Sequence, residues 1–85
     1  MNTGVIIDVR EPAEFANGHV ETAINIPVSK MRHGTGLDDI PKDAQIITYC
    51  RTGNRSGNAK EILTSRGFTN VINGINKETV EAQYQ

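Results

Sequence analysis

The feature that most limits how this chain folds is a set of short runs rich in Val and Ile, each followed within a few residues by a helix or turn signal. Val5-Ile6-Ile7, Ala23-Ile24-Asn25-Ile26, Gln45-Ile46-Ile47-Thr48-Tyr49 and Phe68-Thr69-Asn70-Val71-Ile72 are the four predicted strands. Apolar residues that run on, instead of alternating with polar ones, belong to strands covered on both faces. Glu11-Pro12 opens a short helix over Ala13 to Asn17, closed by Gly18, because proline is tolerated in a first turn and glycine just past a last one. Pro27 stops the second strand, Val28 to Met31 forms one helical turn, and His33-Gly34-Thr35-Gly36 is loop. Leu37 to Ile40 makes another turn before the Pro41-Lys42-Asp43 turn signal. Ala59, Ile62 and Leu63 fall on one helical face that Gly67 ends. The tail from Lys77 to Gln85 is weakly helical, with Val80 and Ala82 as anchors. Strands alternating with helices through short loops give an α/β fold: a small, doubly wound parallel sheet with helices on both faces.

At 85 residues the expectation is one domain over 1–85, burying roughly 60–65% of the surface its unfolded form exposes. Nine basic and ten acidic residues leave a net charge of −1, which excludes the clustered cations of a nucleic-acid surface. No apolar run reaches the roughly 20 residues that span a bilayer. Met1-Asn2-Thr3-Gly4 has no basic or apolar leader character, so the compartment expected is the cytoplasm, although a periplasmic form after leader removal would look the same. The one cysteine can make neither an internal disulfide nor, alone, a structural zinc site. Cys50 is either an inert core thiol or a reactive one, and its neighbours decide.

In open parallel sheets, ligands bind beyond the carboxyl ends of the strands. Asp8 follows the first strand and Cys50 the central one, and the loop after Cys50 contains glycine and turns directly into a helix. Loop amides pointing inward and a helix N-terminus both favour an anion, and Arg51 and Arg55 add full charges. An ordinary cysteine titrates near ~8.5; bringing it to about 6.5 takes roughly 2.7 kcal/mol of preference for the thiolate. A helix terminus supplies ~0.5–2 kcal/mol and a nearby arginine the remainder, so no histidine base is required. A Cys-His-Asp arrangement is set aside, because neither His19 nor His33 follows a strand at that edge.

Asp8-Val9-Arg10-Glu11-Pro12-x-Glu14-Phe15-x-x-Gly18-His19-Val20 with Ala23-Ile24-Asn25-Ile26-Pro27 resembles the first signature of rhodanese domains. Tyr49-Cys50-Arg51-Thr52-Gly53-Asn54-Arg55-Ser56 resembles their active-site loop, so the likeness runs from about Val5 to Val71. The compact size is similar to that of phage-shock-type members. The resemblance implies a sulfurtransferase that takes sulfane sulfur from thiosulfate or a similar donor, holds it as a persulfide and passes it to cyanide or a thiol, with a protein acceptor also open. It implies no cofactor and no metal. Carried over, Cys50 is the nucleophile, the amides from Arg51 through Thr52, Gly53 and Asn54 to Arg55 hold the outer sulfur, and Arg51 and Arg55 attract the anionic donor. Where members commonly carry Gly-Gly and then Trp, this chain has Asn73-Gly74-Ile75-Asn76 and no Trp.

Two other readings stand beside this one. Cysteine phosphatases and arsenate reductases use a similar strand-loop-helix, but with five residues between Cys and Arg and a His before the Cys. Here four residues separate Cys50 from Arg55, and Tyr49 precedes the cysteine. A non-catalytic rhodanese-like binding module is the other, although such modules often lack the cysteine. Among supporting residues, Asp8 either accepts hydrogen bonds from the Cys50 loop or simply caps a turn. Arg10 and Glu14, at helical spacing, are expected to pair. Ser56 is read as the helix N-cap, with its hydroxyl also able to face the sulfur. Thr52 and Asn54 shape the turn, Gly53 supplies a positive φ, His19 holds a turn through its ring, and His33 is solvated.

Overall fold

A computed structural model describes residues 4–85; Met1, Asn2 and Thr3, read above for a leader, lie outside the described residues. The elements in order are β1 (Val5–Asp8), α1 (Pro12–Ala16), β2 (Ile24–Asn25), α2 (Val28–Met31), β3 (Ile46–Cys50), α3 (Asn54–Ser65), β4 (Val71–Asn76) and α4 (Lys77–Tyr84). All strand pairs are parallel, in the order β2-β1-β3-β4. The chain winds from β1 outward to β2 and then crosses to β3 on the other side of β1. That reversal puts a topological switch point between the carboxyl ends of β1 and β3, the crevice where parallel sheets take ligands.

The period of two along each strand sends alternate side chains to opposite faces. Ile7, Ile46 and Cys50 join Met31, Ala59, Leu63 and Phe68 in the core under α2 and α3. Ile6, Ile47 and Tyr49 form the second core with Val20 and with Val80 of α4. The two central strands, β1 and β3, are therefore covered on both sides, whereas Ile24 on the edge strand β2 is 42% exposed. In α4 the anchors are Val80 and the half-buried Tyr84, whereas Ala82, expected as an anchor, is exposed.

The fourth strand starts and ends later than its sequence implies. Residues 68–70 are not strand, because Phe68 closes α3. Its amide bonds to Leu63 O and that of Gly67 to Thr64 O, a Schellman ending with Gly67 at φ +96°. The Phe68 ring stays in the core with Lys42 Nζ 4.1 Å above it. β4 instead runs on past Ile72 through Asn73-Gly74, because β3 supplies a ladder there. The pairing goes from Thr48↔Asn73 to Cys50↔Asn76, so β4 carries one extra residue, a bulge. Ile75 sits in this bulge at φ +76°, a conformation rare for a β-branched residue. The bulge sets Asn76 opposite Cys50, and Asn76 Oδ1 accepts the Thr79 amide at 2.8 Å to cap α4.

Candidate active site

Cys50 ends β3 on the α3 face and is 2% exposed. Gly53, at φ +96°, stands in the N-cap position of α3 without a capping side chain. A serine or aspartate there would satisfy the first amides of the helix; without one, they remain available to the sulfur. The Gly53 amide donates to Cys50 Sγ at 3.1 Å, and the Ser56 hydroxyl lies 3.4 Å from the same atom. Burial is the largest influence on the thiol and acts to raise it. Once ionised, the sulfur takes hydrogen bonds from the Ser56 hydroxyl and from the Ser56, Gly53 and Thr52 amides, which outweigh burial and bring it from 9.0 down to about 7. These donors, rather than arginine charge, are the leading source of the lowering.

The thiolate is the nucleophile, so alkylation of the folded protein by iodoacetamide should rise with pH through a midpoint near 7 and then level off. A midpoint above about 8.5, where an ordinary thiol titrates, would show that the loop does nothing for the sulfur.

Ser56 is not the N-cap. It lies inside α3, fully buried, because Gly53 holds the cap and the helix begins at Asn54. Its hydroxyl donates to Asn73 Oδ1 at 2.6 Å. Among the loop residues, Arg51 and Thr52 are exposed, and Asn54 is exposed at the first helical position. Arg55 turns aside: its Nη1 and Nη2 bond the Glu14 carboxylate at 2.8 and 3.0 Å. That hydrogen bonding holds Glu14 down at about 2. The expected Arg10–Glu14 pair is absent, since Arg10 precedes α1 and is taken by Asp8.

Asp8 is fully buried and does not reach the Cys50 loop. It is registered against Tyr49, on the sheet face opposite to that of Cys50, so the pleat keeps its carboxylate away from the sulfur. It accepts from Arg10 Nε at 2.9 Å, Arg10 Nη2 at 2.6 Å, the Arg10 amide at 2.9 Å and Tyr49 Oη at 2.9 Å. Tyr49 Oη in turn accepts the Val20 amide. Asn25 Nδ2 ties down the carbonyls of Asp8 and Arg10 at 2.9 Å each. Asp8 thus fixes the carboxyl edge of β1 and aims Arg10. His19 Nδ1 lies 2.8 Å from Phe15 O with its ring stacked on Phe15, and His33 is exposed.

A cavity of about 320 Å³ opens above Cys50, lined by Arg10, Cys50, Arg51, Asn76, Lys77 and Glu78. Arg10 pairs with Asp8, and Lys77 with Glu81 at 3.0 Å. Arg51 makes no ion pair among the described residues and is the cation left to meet an anion, although Glu78, also outside any ion pair among these residues, lines the same cavity. A larger hollow of about 480 Å³ along the C-terminal half of α3 includes Arg32, Glu61 and Arg66 but no nucleophile. Sequence reasoning missed Asn73, Asn76, Lys77 and Glu78 at the sulfur site, because it ended β4 at Ile72 and so left them off the carboxyl edge. The signal available was Gly74, because a lone glycine inside a strand pattern suggests a bulge. Among the described residues no group of acidic, His and Cys side chains is placed to hold a metal, and no helix is long and apolar enough to cross a membrane.

The rhodanese-like domain family model matches residues 1–75. The chain is 40% identical to the thiosulfate sulfurtransferase PspE of Escherichia coli over 79% of its own length and 64% of the relative's. It is 32% identical to the thiosulfate:glutathione sulfurtransferase of Saccharomyces cerevisiae, over 78% of this chain and 55% of that one. It therefore spans less than two thirds of the curated relatives it matches here. A solved E. coli rhodanese with anions superposes with a TM-score of 0.81 at 35% identity, covering 91% of each chain. By the family match, by these relatives and by a four-stranded parallel sheet that ends in the Cys50 loop, this chain belongs to the rhodanese-like domain family.

Proposed function

We propose that residues 1–85 act as one sulfurtransferase domain that moves sulfane sulfur from thiosulfate, or a similar anionic donor, to a thiol or cyanide through a persulfide on Cys50. The observation that carries the reading is the position of Cys50 Sγ in a cavity that Arg51 also lines, with the Gly53 amide donating to it at 3.1 Å. Arg51 at the rim draws in the anion. The Cys50 thiolate attacks the outer sulfur of thiosulfate; an S–S bond forms, the donor's own S–S bond breaks, and its electron pair leaves with sulfite. The outer sulfur then rests among the loop amides from Arg51 to Arg55. An acceptor thiolate or cyanide attacks that sulfur, and the Cys50–S bond breaks to return the Cys50 thiolate. Two easier steps through a covalent intermediate replace one difficult step, with ping-pong kinetics.

Support comes from the thiosulfate and glutathione named for its relatives and from the anions in the related E. coli structure. A protein thiol fits the same open cavity as an acceptor. The phosphatase reading is disfavoured, because Arg55, the residue that would grip phosphate, is committed to Glu14. The test is the intact mass after incubation with thiosulfate. The protein should gain one sulfur atom, which cyanide removes as thiocyanate, and Cys50→Ala should gain none. No gain in the wild type, or an equal gain in the variant, sinks the proposal.

A further inference from the structure

The Asn73 carboxamide joins three parts of the sulfur site. Its Oδ1 accepts the Ile75 amide at 3.0 Å and the Ser56 hydroxyl at 2.6 Å, and its Nδ2 donates to Gly53 O at 3.2 Å. The Ile75 amide on one side and the Gly53 carbonyl on the other fix which end of the amide is oxygen. Ser56 has one hydroxyl proton, and at 2.6 Å that proton is on the line to Asn73. The Ser56 oxygen then offers only a lone pair to Cys50 Sγ, 3.4 Å away. This suits a neutral S–H, which donates to Ser56, and opposes a thiolate, which would meet a lone pair.

We infer that Asn73 is a positioning residue for Cys50: its carboxamide oxygen holds the Ser56 proton away from the sulfur until the sulfur ionises. On ionisation the thiol proton leaves to solvent, and the Ser56 O–H rotates from Asn73 Oδ1 to Sγ. Asn73 keeps its Ile75 and Gly53 bonds, so the loop stays in place while the hydroxyl turns. Once a persulfide forms, Sγ is uncharged and the hydroxyl returns to Asn73. The catalytic consequence rests on the sulfurtransferase reading; the thiol chemistry does not.

Other charges bear on the same sulfur. Arg10, Arg51, Lys77 and Glu78 line the cavity, and Arg55 lies beside it against Glu14. Asp8 is occupied by Arg10 on the other sheet face. Replacing Asn73 with a neutral residue leaves every one of these charges unchanged but also removes its Ile75 and Gly53 bonds, so the comparison with and without Ser56 isolates the hydroxyl.

The experiment is the pH dependence of iodoacetamide alkylation in the wild type, Asn73→Ala, Ser56→Ala and the double variant, each checked for a native melting transition. Freed from Asn73, the hydroxyl donates to the thiolate from the start. Asn73→Ala should therefore alkylate about threefold faster at pH 6, allowing for the weaker nucleophilicity of a more acidic thiol. Ser56→Ala should be slower than the wild type, and the double variant should match Ser56→Ala. Asn73→Leu, close in volume and unable to accept a hydrogen bond, should repeat the acceleration and serves if the alanine variant does not fold. The inference is overturned if the Asn73 variants are unchanged or slower, or if their acceleration persists without Ser56. A wild type that gains no sulfur from thiosulfate would remove the transfer reading alone, because the alkylation comparison needs no donor.

Discussion

Asp8→Ala is expected to cost about 3–5 kcal/mol of folding free energy, the loss that follows when one partner of a buried ion pair is removed. Asp8 is fully buried, and its carboxylate satisfies the Arg10 amide, the Arg10 guanidinium through two nitrogens, and Tyr49 Oη. Arg10 keeps a bond to Gly18 O at 2.8 Å and Tyr49 keeps the Val20 amide, but neither group regains an acceptor for what it donated to Asp8. In a domain of this size such a loss is a large part of the total stability. Asp8→Asn retains an acceptor and the shape, and should cost roughly half as much. Urea unfolding monitored by circular dichroism measures both. A cost below about 1 kcal/mol for the alanine variant would mean that Arg10 finds an equal partner in the cavity.

Gly74→Ala is expected to destabilise by about 3 kcal/mol, the upper end of the usual cost of overpacking. Gly74 has an ordinary φ, so the cost is steric. A β-carbon there would lie 2.6 Å from Val80 Cγ2, 2.8 Å from Ile47 Cγ2 and 3.0 Å from Thr48 O. Val80 can yield only by lifting α4, because the Thr48 carbonyl belongs to the central strand and cannot move. The same movement would take Asn76 and Lys77 from the rim of the cavity. Amide exchange in α4 should therefore speed up more than exchange in β3, since the helix opens before the sheet does. Equal acceleration in both would show that α4 and the sheet unfold as one unit.

Much of this architecture was legible in the residues themselves. The unbroken β-branched runs of the two central strands required a sheet covered there on both faces. The turn chemistry placed α2, the Leu37–Ile40 turn and the Gly67 ending where they are found, since glycine and proline act through their own backbone restrictions. The strand that runs into Cys50, followed by a glycine-bearing loop and a helix, located the sulfur at the carboxyl edge. His19 and Gly53 were readable for the same reason, because their roles are met by neighbours within a few residues.

What the residues alone left undecided depends on partners distant in the chain. Arg10 beside Glu14 reads as a helical pair, yet a fully buried Asp8 holds Arg10 more strongly, and Glu14 is left for Arg55, far away in sequence but adjacent in space. Ser56 reads as a cap, yet the φ of Gly53 starts the helix earlier and turns the hydroxyl inward to Asn73. The fourth strand reads as ending at Ile72, yet the β3 ladder draws Asn73 to Asn76 into it and absorbs the extra residue as a bulge. Local sequence determined that a thiol would sit above a parallel sheet at the start of a helix, because propensities and turn geometry act over a few residues. Only the tertiary structure decided which charges and hydroxyls face that thiol, because strand register and the alternation of the pleat choose the face on which each side chain ends.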